Sequence, residues 1–145
     1  MNNVIIRDAL KTDLNEIYKL INILEENVFD KKKFSQVFND TLKNRKIFFK
    51  VAIIDNKIAG FISLSIQAVL HHAGYIAEIH ELVIVPELRC MNIGKSLLDE
   101  VEKIALSNNC ELIELASNKN RVRAHKFYEN NGYINSHYKL TKKLS

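Results

Sequence analysis

One stretch of the chain, residues 81–98, joins a buried-strand pattern directly to a helix pattern. Residues 82–85 are apolar and mostly branched, and Pro86, which has no N–H to donate to a sheet, ends the run. From Gly94 onwards, apolar residues recur at helical spacing at Leu97, Leu98, Val101, Ile104 and Ala105. The N–H groups of residues 91–96 are therefore expected at a helix N-terminus, without intrahelical acceptors and carrying partial positive charge. The stretch predicts an anion site that fits a pyrophosphate.

Nearby residue types favour the same interpretation. Gly94 would let phosphate oxygens approach the backbone closely, and Arg89 and Lys95 add positive charge on either side. The alternative is an ordinary strand-to-helix connection in which the glycine serves turn geometry alone. Because short glycine motifs have many false matches, this stretch by itself leaves both interpretations open.

Size and composition exclude several other classes of protein. With 145 residues, 47% of them hydrophobic, the chain is expected to form one domain, residues 1–145. No apolar run is long enough to span a membrane, and the first residues lack the layout of a signal peptide. The two cysteines form no disulfide framework or zinc pattern, and the formal net charge of +4 is modest. We therefore expect a cytoplasmic protein without a nucleic-acid or membrane partner.

Periodicity along the chain predicts a mixed α/β sheet with helices on its faces. The predicted strands cover residues 4–8, 47–54, 58–67, 76–85, 112–117 and 133–141. Helices are predicted after Asp13, after Asp30, from Gly94 and within residues 120–132. Asp13 and Glu16 suggest a capping box for the first helix, and Asp30 is the expected cap of the second. The resulting order is β-α-α-β-β-β-α-β-α-β.

A second informative stretch, residues 120–133, has the pattern of a short helix ended by a glycine. It contains A-x-x-F-Y-x-x-x-G-Y, which runs from Ala124 to Tyr133. Together with the loop at residues 89–94, this stretch resembles the GNAT superfamily of acetyl-CoA-dependent N-acetyltransferases. Asn92 stands where that family usually has a glycine, and asparagine tolerates left-handed backbone better than most residues.

The resemblance implies a single-domain GNAT sheet in which the central strand and the strand after the long helix splay apart. Acetyl-CoA is then the cosubstrate, with its pantetheine arm bonded to the central strand and its pyrophosphate on the loop that starts the long helix. Val83 and Val85 are implied for the arm, residues 91–96 for the pyrophosphate, and Asn120 and Phe127 for the region near the splay. The implied cofactor-binding residues are Val83, Val85, Arg89, Met91, Asn92, Ile93, Gly94, Lys95, Ser96, Asn120 and Phe127.

Acetyl transfer to an amine needs a base, because an alkylamine is largely protonated at neutral pH. Glu78 and Glu81 on the central strand are the candidates, and strict alternation places them on opposite faces. Glu78 matches the position of the family's base better, although a carboxylate at a strand start is also an ordinary surface residue. Tyr128 matches the family's general acid, which protonates the leaving thiolate, whereas an isolated tyrosine in a short helix more often only packs. Neither cysteine has the base partner of a covalent route, so we expect direct transfer in a ternary complex.

Most of the chain also looks like the bacterial aminoalkylphosphonate N-acetyltransferases, through Leu70-His71-His72, Glu78, Glu81 and Asn92 among other residues. This narrower resemblance implies that a small aminophosphonate is acetylated on its amine, with a divalent metal as an optional helper. His71 and His72 supply at most two metal ligands, so the metal and its ligands stay open.

Other acceptors and one other class of protein stay open as well. The triple lysine at residues 31–33 departs from the aminoalkylphosphonate subgroup, which leaves a polyamine, an aminoglycoside or a diamino acid as alternative acceptors. A non-catalytic acyl-CoA-binding module is the alternative outside enzymes. The expected partners are a small-molecule amine and a second copy of the chain in a homodimer.

Overall fold

The computed structural model describes residues 3–145, which form one five-stranded sheet with helices on both faces. The strands are β1 (Ile5–Asp8), β2 (Ile47–Ile54), β3 (Lys57–Val69), β4 (Gly74–Ile84) and β5 (Cys110–Leu115). The helices are α1 (Leu14–Glu25), α2 (Lys31–Leu42), α3 (Ile93–Ser107) and α4 (Val122–Asn130). None of the helices in residues 3–145 has the length and apolar character that crossing a bilayer requires.

The strands stand in the sheet in the order in which they occur along the chain, β1-β2-β3-β4-β5. Neighbours from β1 to β4 run antiparallel, and β5 runs parallel to β4 after the crossover through α3. Asp55 and Asn56 link β2 to β3 with left-handed φ angles of 50° and 63°, as a tight two-residue hairpin turn requires. The predicted mixed α/β class and hairpin are confirmed.

The helices bury two separate apolar clusters against the sheet. On one face α3 covers Ala52, Ile54, Ala59, Ile62, Leu64, Ile66, Ala77 and Ile79 with its own Ile93, Leu97, Leu98, Val101 and Ala105. On the other face α1 and α2 pack Ile17, Leu20 and Phe38 against Ala9, Val51, Phe61 and Val83.

The first two helices start differently. The Asp30 carboxylate accepts the Lys33 N–H at 2.9 Å, so the predicted cap of α2 is confirmed. Asp13 makes no such bond at the start of α1. Its carboxylate instead accepts the Leu10 N–H and two guanidinium N–H groups of Arg7, at 2.7 to 3.1 Å. The predicted capping box is wrong, because an ion pair with β1 competes for the same oxygens.

β4 contains a bulge at His80. Ser63 of β3 pairs with Glu81, whereas the next residue, Leu64, pairs with Ile79, so His80 has no partner of its own in that ladder. An extra residue in one strand shifts every following side chain to the other face of the sheet.

The bulge changes which side chains of β4 share a face. Ile79 and Leu82 both pack in the cluster under α3. Glu81 lines a cleft with residues of α1 and α2, and Glu78 is bonded to Gln67 on that same side. The expectation that Glu78 and Glu81 lie on opposite faces is therefore wrong, because strict alternation assumes a strand without a bulge.

The last predicted strand, residues 133–141, is also wrong. Within the described chain, residues 133–145 have no helix or strand. Polar and apolar residues alternate there as in a strand, but a strand exists only when a neighbour accepts its hydrogen bonds. The sheet of the described residues ends at β5.

Candidate active site

A gap opens between β4 and β5. Their parallel pairing runs from Tyr75 to Ile79, where Ile79 lies opposite Leu115 at the end of β5. β4 continues to Ile84 and stays paired with β3 on its other side. From His80 to Ile84, its edge towards β5 is therefore open, and this opening corresponds to the splay that the resemblance implies.

The open edge belongs to different residues from those expected. The Val85 N–H donates to the Ala59 carbonyl at 2.8 Å, and the Val85 carbonyl accepts the Leu88 N–H at 2.9 Å. Backbone groups alternate along a strand, so Val83, paired with Phe61, also turns its polar groups towards β3. Val83 and Val85 thus do not present N–H groups to the gap, and a contact of either residue with the pantetheine arm stays a prediction that this geometry does not favour.

Leu82 and Ile84 are the residues that sequence reasoning missed. The same alternation directs their N–H and C=O groups to the open edge. No sequence pattern identifies them. Which residues of β4 bond to β3 depends on the register between the two strands, and side-chain patterns do not reveal that register.

The loop between β4 and α3 has two left-handed residues. Cys90 has φ 70°, and Asn92, the N-cap of α3, has φ 61° and ψ 15°. The expectation that asparagine preserves the loop shape at position 92 agrees with this geometry. α3 then begins at Ile93, whose side chain is fully buried under the sheet and fixes the start of the helix.

The first turn of α3 leaves donors open. The Ser96 N–H gives the first helical bond, 3.1 Å to the Asn92 carbonyl, so the N–H groups of Ile93, Gly94 and Lys95 precede the ladder. The Ser96 hydroxyl donates to the same carbonyl at 3.1 Å. The expectation that the Ser96 N–H has no acceptor within the helix is therefore wrong, and its contact with a pyrophosphate stays an untested prediction.

The side chains around this turn supply charge and apolar surface. Arg89 is exposed and, within residues 3–145, has no ion pair. Lys95 pairs with Asp99 one turn later, at 3.2 Å, which partly neutralises it. Met91 is half exposed beside them. Arg89 thus remains the free cation next to the open N–H groups.

Gly94 faces an aromatic ring. A Cβ at this position would lie 3.3 Å from Cζ of Phe127, tighter than an ordinary contact. The absent side chain therefore lets α4 pack against the first turn of α3. We expected the glycine to let a phosphate approach the backbone. A Cβ at Gly94 would instead point at the Phe127 ring, so packing against α4 explains the glycine in this structure.

Three aromatic residues run from α4 towards α3. The rings of Phe127 and Tyr128 lie 5.3 Å apart edge to face, and those of Tyr128 and Tyr133 lie 5.6 Å apart. The Tyr133 hydroxyl donates to the Glu102 carboxylate of α3 at 2.9 Å. This row positions Tyr128 between two packed rings.

Tyr128 carries a proton over the whole physiological range. Burial raises the pKa of its hydroxyl to about 12, and the nearby Arg121 charge opposes this only in part. In the described chain the Tyr128 hydroxyl has no hydrogen-bond partner. Every fully buried side-chain polar atom of the described residues does have one. The hydroxyl oxygen is therefore largely but not fully buried, and its proton is available for donation.

The loop before α4 is built on Asn118. Its carbonyl accepts the Arg121 N–H at 3.0 Å and a His125 ring nitrogen lies 2.8 Å away, while its side-chain oxygen accepts the Asn120 N–H at 3.0 Å. The Asn120 side chain is exposed. Arg121 also donates to the Leu24 carbonyl at the end of α1. The sequence analysis did not identify Asn118 or Arg121 as the residues that hold this loop in place.

A polar cluster lies on β3 and β4, on the face of the sheet that α1 and α2 cover. Gln67 donates to the Glu78 carboxylate and to Ser65, both at 3.0 Å, and the Ser65 hydroxyl lies 2.8 Å from a ring nitrogen of His80. Nearer to the gap, the Glu81 N–H donates to the Ser63 hydroxyl at 3.0 Å, and that hydroxyl donates to the Glu81 carboxylate. The two glutamates are thus held by separate partners.

Glu81 also borders a small cleft between the sheet and the first two helices. The cleft has a volume of ≈ 130 Å³ and is lined by Ile17, Ile21, Phe34, Val37, Phe38, Phe49, Phe61 and Glu81. Glu81 is the one charged residue in that lining. A carboxylate at the end of an apolar cleft suits a small amine, with the ammonium on Glu81 and its carbon chain against the rings.

The family of the chain follows from comparison with known proteins. The model of the acetyltransferase (GNAT) family matches residues 14–133, which include the gap, α3 and the aromatic row of α4. The chain belongs to the GNAT acetyltransferase family.

Similar proteins agree with this assignment. The chain is 38% identical over 139 residues to the aminoalkylphosphonate N-acetyltransferase of Salmonella typhimurium, covering 96% of this chain and 90% of that protein. A transcriptional regulator from Bacillus halodurans has the same fold, with a TM-score of 0.91, 24% identity and coverage of 98% and 100% of the two chains. An aminoglycoside N-acetyltransferase in complex with CoA also has this fold, with a TM-score of 0.88, 15% identity and coverage of 99% and 95%.

The GNAT protein is therefore an acetyltransferase enzyme, and acetyl-CoA is the cosubstrate typical of its family. The structure gives no support to a metal. Among residues 3–145, no group of three or more His, Cys, Asp or Glu residues is placed to hold one. A His72 ring nitrogen lies 2.7 Å from the Glu111 carboxylate, and His71 packs beside it. His72 thus has a surface hydrogen-bond partner in Glu111, and His71 packs on the His72 ring.

Proposed function

We propose that this acetyltransferase moves the acetyl group of acetyl-CoA to the primary amine of a small aminoalkylphosphonate, directly, in a ternary complex. The observation that carries the choice of acceptor is the 38% identity, over almost the whole chain, to a protein of that name. The cleft at Glu81 supports a small amine as acceptor because it joins one carboxylate to an apolar wall at the edge of the gap.

The cosubstrate is proposed to lie in the gap between β4 and β5. The open N–H groups of Ile93, Gly94 and Lys95 suit its pyrophosphate, and exposed Arg89 adds a mobile positive charge. The open edge at Leu82 and Ile84 suits the amide groups of the pantetheine arm. Phe127 packs against the first turn of α3, beside this path.

Glu81 is the proposed base, with Glu78 as the second candidate. Glu81 borders the cleft and lies beyond Ile79, the last residue of β4 that β5 covers. Glu78 lies within the covered part, opposite Glu114, and accepts a bond from Gln67. Ser63 holds the Glu81 carboxylate in one orientation, which reduces the reorganisation needed at the moment of proton transfer.

The proposed reaction balances in protons and bonds. The ammonium of the acceptor gives one proton to the Glu81 carboxylate, and the freed nitrogen attacks the thioester carbonyl carbon. An N–H on the open edge of β4 stabilises the negative charge that develops on the carbonyl oxygen. The C–N bond forms, the C–S bond breaks, and the leaving sulfur receives the hydroxyl proton of Tyr128. The nitrogen then loses its second proton to the Tyr128 phenolate as the amide forms, and the proton held by Glu81 passes to solvent, so that both residues return to their starting state. Because the Tyr128 hydroxyl is protonated and unpartnered, it suits this role.

Lys31 is the proposed partner of the phosphonate end. Its Nζ lies 4.9 Å from the ring centre of Tyr18, and Tyr18 contacts Phe34, which lines the cleft. Lys32 and Lys33 follow in the same turn. The positive charge of this turn would attract the anionic end of an aminoalkylphosphonate as it enters the cleft.

Thiol release from acetyl-CoA with a panel of amines tests the acceptor. We expect kcat/KM to be highest for aminomethylphosphonate or 2-aminoethylphosphonate and at least tenfold lower for propylamine, which lacks the anion. Lys31→Ala should remove most of that preference by raising KM for the phosphonates alone. Propylamine, phenylethylamine or a polyamine turning over better than the phosphonates would overturn the choice of acceptor and leave the acetyltransferase activity standing.

A further inference from the structure

Arg121 is a half-buried cation without an anionic partner. Its guanidinium donates to the Leu24 carbonyl at the end of α1, and among residues 3–145 it forms no ion pair. A guanidinium has five N–H donors, so a single carbonyl leaves most of them unused. Charges that are taken out of water are normally paired, because burial without a partner costs free energy. The arrangement therefore indicates an anion that is present only at one stage of the reaction.

The start of α4 holds Arg121 in place. Its N–H donates to the Asn118 carbonyl at 3.0 Å, and its own carbonyl accepts the His125 N–H at 3.1 Å, which is the first bond of the helix. A His125 ring nitrogen lies 2.8 Å from the same Asn118 carbonyl. Together with the contact to Leu24, these bonds fix both the backbone and the tip of the Arg121 side chain. A charge fixed in this way stabilises a developing ion without reorganising during the reaction.

Arg121 and Tyr128 lie on the same side of α4. Tyr128 follows Arg121 by seven positions, which is close to two turns of a helix, or about 10 Å along its axis. Helical side chains lean towards the N-terminus, so the Tyr128 ring leans towards the end of α4 that carries Arg121. The Arg121 charge accordingly acts on the phenol, whose pKa it lowers against the larger effect of burial.

The charged groups on the other side of Tyr128 are acidic. The ring of Tyr133 packs against it, and the Tyr133 hydroxyl donates to the Glu102 carboxylate of α3. Asp99, also on α3, adds to the negative charge that raises the pKa of Tyr133. Negative charge on this side opposes ionisation of a neighbouring phenol. A phenolate at Tyr128 therefore depends on Arg121 for its stabilisation.

We infer that Arg121 stabilises the Tyr128 phenolate that is left when the hydroxyl proton passes to the departing sulfur. The inference rests on the proposed function, in which Tyr128 is the acid. The O–H bond breaks, the S–H bond forms, and the electron pair stays on the phenolate oxygen until that oxygen takes the second proton of the nitrogen. Burial keeps the acid protonated beforehand, but burial alone would make the phenolate costly. Arg121 lowers this cost and acts through Tyr128 without touching the substrate.

Titration of the phenol tests the inference directly. Tyr128 is replaced by difluorotyrosine, whose phenol is more acidic than that of tyrosine and ionises while the protein is still folded. In this background Arg121→Gln should raise the pKa of the phenol by about one unit or more, because an opposite charge has been removed. Arg121→Lys keeps the charge and should leave the pKa nearly unchanged. Arg123→Gln is the matched control, since Arg123 is an exposed arginine of the same helix, and it should also leave the pKa unchanged.

Turnover locates the effect in the reaction. Arg121→Gln should lower kcat about tenfold or more, with KM for acetyl-CoA and for the acceptor close to that of the wild type. In the Tyr128→Phe background the same substitution should have almost no further effect, since no phenolate forms there. Arg121→Lys should recover most of the loss. Arg121→Met takes the place of Arg121→Gln in both experiments if the glutamine variant does not fold.

Four outcomes would contradict this role of Arg121. An unchanged phenol pKa in Arg121→Gln would overturn the inference and leave the proposed function standing, and so would an equal loss of kcat in the wild-type and Tyr128→Phe backgrounds. If Arg121→Gln raises KM for the aminophosphonates and not for propylamine, the guanidinium binds the acceptor instead. Full turnover by Tyr128→Phe would remove Tyr128 as the acid and Arg121 with it, while the choice of acceptor is tested separately by the panel of amines.

Discussion

Phe127 fills the space that a side chain at Gly94 would need: a Cβ there would lie 3.3 Å from Cζ of the ring. Gly94→Ala should therefore destabilise the fold by about 1 to 3 kcal/mol through overpacking and weaken CoA binding indirectly. In the Phe127→Leu background the same change should be much less harmful, since the opposing ring is gone. Thermal unfolding and CoA titration of the wild type, the two single variants and the double variant measure this coupling.

Gly74→Ala is the matched control, because a Cβ at position 74 meets its nearest atom at an ordinary 3.7 Å. It should change neither stability nor CoA affinity. If Gly94→Ala weakens CoA binding equally in the wild-type background and in the Phe127→Leu background, the methyl group obstructs the cosubstrate itself and the packing explanation fails.

Tyr128→Phe should lower kcat by about 100-fold or more while leaving CoA affinity close to that of the wild type, because it removes a proton donor used in the transition state. Since burial raises the pKa of Tyr128 to about 12, its hydroxyl should stay protonated as pH rises through 10. The difference in ultraviolet absorbance between wild type and variant should accordingly show no phenolate signal below pH 11. Ionisation near pH 10 would contradict the burial of this hydroxyl.

Glu81→Gln should lower kcat/KM more than Glu78→Gln does, since Glu81 borders the cleft beyond the part of β4 that β5 covers. The defect should shrink as pH rises from 6 to 9, because more of the acceptor amine is then already unprotonated. Ser63→Ala should lower activity about tenfold by freeing the Glu81 carboxylate, with CoA affinity unchanged. A larger, pH-dependent loss in Glu78→Gln would return the role of base to Glu78.

Asp13 makes folding stability depend on pH. The hydrogen bonds from Arg7 hold the pKa of this carboxyl below its ordinary value, against the opposing effect of burial. A lowered folded-state pKa means that the pair stabilises the fold fully above the unfolded-state pKa, near 3.9, and less as pH falls towards the folded value. Asp13→Asn should lower the melting temperature at pH 7 and flatten its fall between pH 5 and pH 2.

Glu16→Gln is the control for that experiment. Glu16 also pairs with a cation, Lys19 at 3.4 Å, but the two side chains are 58% and 69% exposed. Exposed ion pairs contribute little to stability, so this variant should follow the wild type at every pH. Equal losses in both variants would mean that burial of the Asp13 pair is unimportant.

Cys90 should react with alkylating reagents faster than Cys110. Cys90 is exposed in the loop before α3, whereas burial raises the pKa of the Cys110 thiol and lowers its thiolate fraction. Bound CoA should slow labelling of Cys90, as measured by peptide mass spectrometry. Rapid labelling that CoA leaves unchanged would show that this loop is not where the pyrophosphate binds.

The elements of this fold are predictable where local signals decide them. The Asp55 turn, the Asp30 cap and the Pro86 strand end depend on a few neighbouring residues, and the structure has all three. Asn92 likewise adopts the left-handed conformation that its side chain tolerates. These features need no knowledge of the rest of the chain.

The errors arise where distant segments decide the outcome. The bulge at His80 depends on the register between β3 and β4, and it moves Glu81 to the face of Glu78. The direction of the Val85 N–H depends on Ala59 across the same ladder. Arg121 donates to the Leu24 carbonyl, 97 positions away, and no local sequence pattern predicts that contact.

The sequential order of the strands has a consequence for how the molecule assembles. β3 and β4 each follow the preceding strand after a short connection, so the β2–β4 meander needs only short chain closures, whereas β1 joins across α1 and α2 and β5 joins after the crossover through α3. Glu81 belongs to the early part, and Tyr128 and Phe127 belong to the late part. Acetyl-CoA in its proposed place in the gap would touch both parts, so we expect its binding to stabilise the packing of the late-forming part against the rest and to slow its local opening.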